Sequence, residues 1–195
     1  MVPFPGEDFQ MFEKDLPGQN KSGLSFQKAS EQMPLETCET MNNSWGFNIR
    51  DTNYKSVKQI IHYLVNAAGR NANFLLNVGP MPNGEIQPEF VDTLNEVGKW
   101  MQQYGESIYG TRGNVMVPQD WGVATAKNKT MYIHILKKLQ HSFVLIEGIK
   151  DKVLNCQLMT KGQPIKFRQN KTGVTIDLDG VVLDDPDSVI KIQTK

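Results

Sequence analysis

The sequence predicts an α/β portion followed by an all-β portion. Two observations carry this. A helix, a strand and a second helix follow one another with short connections between Asn53 and Tyr104, the order of β/α units. Beyond Gly113 the helical pattern stops and short strand-like runs alternate with turn signals, as in an antiparallel β-sandwich. A third observation qualifies the first: about two β/α units cannot cover both faces of a parallel sheet. The first portion therefore reads as the end of a larger α/β domain, and the chain as a fragment.

Residues 1 to 50 hold many turn formers, among them Pro17-Gly18, Asn20 and Gly23, and little periodicity, so they read as a long functional loop. Val57, Ile60, Ile61, Leu64, Val65 and Ala68 then recur at helical spacing, closed by Gly69 as a cap. Asn73 to Val78 reads as a strand buried on both faces. Gly79-Pro80 ends it and Pro82-Asn83-Gly84 forms a turn. The second helix opens at Pro88, suited to a first helical position, and turns Phe90, Leu94, Val97, Met101 and Tyr104 inward. The later strands are expected over 121–126, 131–136, 142–146, 153–158, 165–167, 174–178 and 189–192. Lys127-Asn128-Lys129 and Lys171-Thr172-Gly173 mark turns between them.

The chain has 195 residues, and Lys+Arg and Asp+Glu balance at 21 each, so no global field favours nucleic acid or an anionic membrane surface. No apolar run approaches the roughly 20 residues that span a bilayer. Met1-Val2-Pro3-Phe4-Pro5 lacks the basic and apolar regions of a signal peptide. Cys38 and Cys156 lie far apart without CxxC spacing, and His62, His134 and His141 are scattered, so neither metal nor cofactor is expected.

Several motifs come in one order: Glu36-Thr37-Cys38, Asn42-Asn43-Ser44-Trp45-Gly46-Phe47, Asn66-Ala67-Ala68-Gly69, the run Asn73 to Pro80, Asn83-Gly84-Glu85-Ile86, Gly98-Lys99-Trp100 and Gly105 to Tyr109. Together they resemble the C-terminal half of an α-L-fucosidase of glycoside hydrolase family 29, strongly over residues 5 to 113 and more loosely beyond. The resemblance implies the C-terminal part of a (β/α)8-like barrel over 1–113 and a C-terminal β-sandwich over 114–195. It implies retaining hydrolysis of terminal α-L-fucose from glycans by two carboxyls. The expected partner is a fucosylated glycan, without nucleic acid or membrane, and the resemblance admits a homo-oligomer of the full-length enzyme. It places that enzyme in a secreted, periplasmic or lysosomal setting.

The family's nucleophile is an Asp in a Trp-x-Asp-Gly-like setting, which this chain does not match. Leu178-Asp179-Gly180 lies in the β-rich portion and reads as a hairpin turn. The nucleophile is therefore expected upstream, and little turnover is expected of the chain alone. Gly6 to Glu13 resembles the family's Gly-Asp-Phe-x-Thr-Pro-Glu loop, with Met11-Phe12 in place of Thr-Pro, so Glu13 is the candidate acid/base. Chemistry alone leaves Glu13 open as a solvated loop carboxylate. Glu36, just before Thr37-Cys38 where the family has Trp-Glu, competes for that role and is otherwise a sugar-binding or orienting carboxylate. Trp45, in an irregular loop beside Gly46, suits the apolar C–H face of a 6-deoxy sugar. Its alternative is a core Trp that pins the loop. Two readings of other classes remain: a carbohydrate-binding module using Trp121 and Tyr132, and an interaction protein decayed from an enzyme.

Overall fold

The computed structural model describes residues 6–195; the opening Met1 to Pro5, whose composition bears on a leader peptide, lies outside the described residues. The chain divides into two compact units, Met1–Met101 and Gln102–Lys195.

In the first unit three parallel strands form one sheet: β1 (Gln10–Glu13), β2 (Leu35–Thr40) and β3 (Ala72–Asn77), in that spatial order. The register sets Met11 beside Glu36 and Asn73, and Glu13 beside Cys38 and Leu75. Side chains alternate across each strand, so the rows fall on two faces. The face of Phe12, Thr37 and Phe74 packs under helix α1 (Val57–Gly69). There the Tyr63 ring lies 4.9 Å from that of Phe74 and its hydroxyl 2.7 Å from Thr37 Oγ1. The face of Met11, Glu13, Glu36, Asn73 and Leu75 is largely open, with Met11 45% and Leu75 43% exposed. The expectation of a strand buried on both sides is thus corrected, because no described element covers the Leu75 side.

β1 and β2 run through the stretch read as irregular. Their inward positions carry hydrogen-bonding side chains, which hides the strand pattern. Buried Gln10 donates to Gln27 Oε1 at 2.9 Å and to the Lys28 carbonyl at 3.1 Å, and accepts from the Ser30 N–H at 2.8 Å. Thr37 of β2, on the same face, is likewise fully buried.

Helix α1 starts in a capping box. Ser56 Oγ accepts the Gln59 N–H, and the Gln59 side chain accepts the Ser56 N–H at 2.8 Å, so two otherwise orphaned donors are satisfied. Ile60, Ile61, Val65 and Ala67 are buried, whereas Ala68 is only partly so. The cap falls on Arg70 rather than Gly69, and Asn71 takes the left-handed turn at φ 58°. Helix α2 (Pro88–Tyr104) opens at Pro88 as expected and buries Phe90 and Tyr104, but Leu94 is 37% exposed. Met41, Ile60 and Phe90 form a small core of this unit.

The long connection from β1 to β2 is tied down by Asp15, which is only 1% exposed. Its carboxylate accepts the Lys21 N–H at 2.7 Å, the Ser22 N–H at 3.1 Å and the Ser22 hydroxyl at 2.6 Å. Burial alone would raise its pKa, but the Ser22 and Lys21 hydrogen bonds outweigh burial and hold it below the usual carboxylate range. A folded-state pKa below the unfolded value gives stability that is complete above about pH 4 and lost as pH falls through the folded pKa. Asp15→Asn is therefore expected to cost about 1–3 kcal/mol at pH 7. Urea midpoints of the two proteins should converge as the pH falls through the lowered folded-state pKa of Asp15.

The second unit holds two antiparallel sheets. One has the order β4-β5-β10-β7, from β4 (Gly122–Lys127), β5 (Thr130–Ile135), β10 (Ser188–Thr194) and β7 (Val153–Leu158). The other has the order β6-β9-β8, from β6 (Phe143–Glu147), β9 (Gly173–Asp177) and β8 (Phe167–Gln169). Both sheets feed one hydrophobic core, which includes Ile133, Ile135, Leu158 and Ile190 from the first and Val144, Ile146, Val174 and Ile176 from the second. The 3₁₀ turn Gly105–Ser107 joins this unit through side chains. Glu106 Oε1 accepts from Tyr132 Oη at 2.7 Å and Lys191 Nζ at 2.6 Å, and the Ser107 carbonyl accepts from Thr125 Oγ1 at 2.6 Å. Tyr132 is 2% exposed, so it is no platform for a sugar, which corrects that part of the binding-module reading. Asp179 is exposed in a turn closed by the Val181 N–H on the Leu178 carbonyl.

Candidate functional site

Strand ends of a parallel sheet gather chemistry because loops there are free of the ladder. In the first unit that edge consists of Glu13 and Lys14 after β1, the loop from Met41 to Phe47 after β2, and Asn77 to Gly79 at the end of β3.

The loop after β2 is built from hydrogen bonds. Asp51 accepts the Asn43 N–H at 2.9 Å and the Ser44 hydroxyl at 2.7 Å. The Ser44 bond, aided by backbone N–H groups and against some desolvation, holds the Asp51 carboxyl below its usual range. Asn42 is buried, its Oδ1 accepts the Ser44 N–H at 3.2 Å, and its carbonyl accepts from Thr40 Oγ1 and from Lys55 Nζ at 2.9 Å. Lys55 also pairs with Glu39 at 3.3 Å.

This frame sets Trp45. Its carbonyl accepts from Asn77 Nδ2 at 2.6 Å, and its ring lies 5.3 Å from Lys14 Nζ. The residue stays 39% exposed, so the expected loop position holds and the ring is not a core packing group. Gly79 explains how the loop crosses the end of β3. A Cβ on Gly79 would stand 2.5 Å from the Gly46 carbonyl carbon and 2.6 Å from the Phe47 nitrogen, closer than real atoms approach. The paired glycines of the two motifs therefore let two backbones touch.

Glu13 ends β1 with its side chain exposed on the open sheet face. No hydrogen bond or ion pair engages its carboxyl among the described residues; only its backbone carbonyl is used, by Ser22 Oγ at 3.2 Å. Lys14 follows at φ 55° and donates its N–H to the Cys38 carbonyl at 2.9 Å, turning the chain off the sheet directly after Glu13. Glu36 lies inside β2, as its second residue, rather than just before a strand. It is half-buried and shares the open face, diagonal to Glu13 at about 8 Å between Cα atoms by strand spacing. The structure thus brings Glu13 and Glu36 onto one face, and Glu13 and Trp45 onto one edge through Lys14.

Sequence reasoning missed Lys14, Asp51 and the scaffolding role of Asn77 toward Trp45. Nothing in the identity of Lys14 announces a left-handed backbone; adjacency to Glu13 was the only signal. Asp51 follows Asn48 and Arg50 in a polar run where any carboxylate reads as solvated. Among the described residues no group of three His, Cys, Asp or Glu side chains is placed to hold a metal ion, and no helix is long and apolar enough to cross a membrane. Chemically, the edge offers an unengaged carboxyl, an ammonium and an exposed indole.

A family model described as alpha-L-fucosidase matches residues 2–106. The tissue alpha-L-fucosidase of Rattus norvegicus is 32% identical over 126 residues, which are 63% of this chain and 26% of that protein. Among solved structures, alpha-L-fucosidase isoenzyme 1 from Paenibacillus thiaminolyticus superposes with a TM-score of 0.80 at 31% identity, covering 96% of this chain and 45% of that one. A Bacteroides thetaiotaomicron alpha-L-fucosidase, solved as a trapped covalent intermediate with 2-fluoro-fucosyl fluoride, gives a TM-score of 0.81 at 22% identity. It covers 96% of this chain and 43% of that one, and the likeness there is one of fold. The chain spans about a quarter to a third of the length of the curated relatives it matches.

Proposed function

The chain belongs to the α-L-fucosidase family, and from that membership we propose that it is the acid/base side of an α-L-fucosidase active site. In this reading the parallel sheet is the late part of a (β/α)8-like barrel, and the open face of Met11, Glu13, Glu36 and Leu75 is the barrel's inner wall. The β-rich unit is the C-terminal β-sandwich. The substrate is a glycan bearing terminal α-L-fucose, the enzyme needs no cofactor, and its setting is secreted, periplasmic or lysosomal. A homo-oligomer of the complete enzyme is compatible with this assignment.

The mechanism is retaining. A carboxylate attacks the anomeric carbon, the glycosidic C–O bond breaks, and Glu13 delivers its proton to the departing oxygen. Glu13 then takes a proton from water, which attacks the anomeric carbon and frees fucose and the nucleophile. We place the nucleophilic Asp on the part of the family's length that this chain does not span. The neighbour named as a trapped covalent intermediate supports the route. Glu36 binds sugar hydroxyls or orients Glu13, and the Trp45 ring packs on the deoxy face of fucose.

The observation that carries the reading is a carboxyl with no hydrogen bond or ion pair among the described residues at the end of β1, on the same edge as the exposed indole of Trp45. An aryl α-L-fucoside assay tests it. The isolated 195-residue chain is expected to give no turnover above buffer, because half a retaining pair forms no glycosyl-enzyme. The protein joined to the remainder of the family's length is expected to hydrolyse the fucoside. Turnover by the isolated chain, or none by the joined protein, contradicts the proposal.

A further inference from the structure

A second feature lies in the β-rich unit, in residues the fucosidase reading does not use. Two adjoining clefts, about 630 Å³ and about 600 Å³, share a wall of Gln119, Trp121, His141 and Phe143. Both volumes fall in the range of small-molecule sites. Phe143 opens strand β6 and is 49% exposed. The His141 ring stacks on it at 5.4 Å with an interplanar angle of 18°.

The wall is fixed in place. The Trp121 carbonyl accepts the N–H groups of Leu136 at 2.8 Å and Lys137 at 3.3 Å, and its ring packs against the unit's core. A short bridge joins Gln119 to Gly122, and the Gln119 amide donates to the Val117 carbonyl at 2.9 Å. Around this aromatic wall stand polar groups with no intramolecular hydrogen bond or ion pair among the described residues: the carboxylates of Glu147 and Asp120 and the ammonium of Lys138. Flat aromatic surface flanked by unengaged hydrogen-bonding side chains is the chemistry that recognises a pyranose, whose C–H face packs on rings while its rim hydroxyls seek polar partners.

We propose that this wall and its two clefts form a non-catalytic binding groove for an oligosaccharide of at least two pyranose rings, one in each cleft. The groove holds the glycan by its core sugars and needs no fucose. It extends the glycan-directed reading of the chain and draws only on that reading's substrate class.

The test is a titration of the ¹⁵N-labelled chain with N-acetyllactosamine, followed at the indole N–H signals of its three tryptophans. Trp121→Phe assigns one signal. That signal is expected to shift with a Kd on the order of 1 mM, as suits a shallow sugar site, while those of Trp45 and Trp100 stay. Phe143→Ala, at an exposed position compatible with folding, is expected to weaken binding at least about fivefold. Glu13→Gln is expected to leave the titration unchanged, and loss of hydrolysis in the joined protein has no bearing on it, so this proposal and the catalytic one fail separately. No shift of the Trp121 signal at saturating sugar overturns the groove. So does a shift equal in Phe143→Ala, or a shift produced by an apolar peptide and not by the sugar.

Discussion

Glu13→Gln in the joined enzyme is expected to lower kcat on a natural fucosyl glycan by about 10²–10⁴-fold, the usual contribution of a positioned general acid/base. A glycan leaves as a poorly stabilised alkoxide unless it is protonated as the bond breaks, and Gln carries no proton to give. The same variant is expected to form the glycosyl-enzyme almost normally from a fucoside with a dinitrophenyl leaving group, which departs without protonation. Its hydrolysis then stalls for want of a base, so pre-steady-state kinetics should show a burst equal to one enzyme equivalent. Geometry favours Glu13 over Glu36 for this role. Glu13 ends β1 beside the Lys14 turn with an unengaged, exposed carboxyl. Glu36 sits one row deeper toward the amino end of β2 and is half-buried. Glu36→Gln is accordingly expected to change KM more than kcat, by about tenfold, as removal of a binding contact does. A large kcat loss and a burst in Glu36→Gln, with Glu13→Gln near normal, would exchange the two assignments.

Gly122→Ala is expected to be the most destabilising single methyl in the β-rich unit, by about 4 kcal/mol or more. Gly122 begins β4 opposite Ile135, and a Cβ there would stand 1.8 Å from the His134 carbonyl oxygen and 3.0 Å from its carbon. Both are backbone atoms of the paired strand, so no side-chain rotation relieves the overlap. Relief requires β4 to part from β5, which uncovers Ala124 and Ile133 of the core and disturbs the fully buried His134–Asp187 pair, whose Nδ1–Oδ2 distance is 2.7 Å. The urea midpoint should fall accordingly, or the variant should fail to fold. A midpoint within experimental error of the parent would show that the two strands do not approach as described. Gly98 of helix α2 gives the contrast, since no atom lies within 4 Å of a Cβ there and its backbone is helical.

The order of elements was readable where burial and sequence period agree. Ile60, Ile61 and Val65 announce α1, and Ile133, Ile135, Ile190 and Ile192 announce β5 and β10, because only apolar groups fill those inward positions. It was unreadable where polar groups are buried for their hydrogen bonds. Gln10 ties a loop, and Thr37 bridges the Asp15 carbonyl and Tyr63, so β1 and β2 present no apolar alternation. Leu75 misled in the opposite sense: an apolar residue on a strand read as buried, yet no described element covers it. Tyr132 misled likewise as a surface aromatic, because its hydroxyl is consumed by Glu106. At the candidate site, Glu13 and Trp45 are proposals that rest on family resemblance. The Asp51 frame and the Gly79–Gly46 contact that hold Trp45 are long-range backbone facts with no local signature.

The central claim is that this chain completes a retaining α-L-fucosidase site with Glu13 as acid/base. The most direct test is ¹H NMR of the joined enzyme acting on a fucosyl glycan, observed before mutarotation. The account predicts release of fucose as the α-anomer first, with that release abolished in Glu13→Ala and turnover rescued by azide, which attacks the β-linked glycosyl-enzyme from the vacated acid/base side and gives α-fucosyl azide. First release of the β-anomer, or unimpaired release by Glu13→Ala, would contradict it.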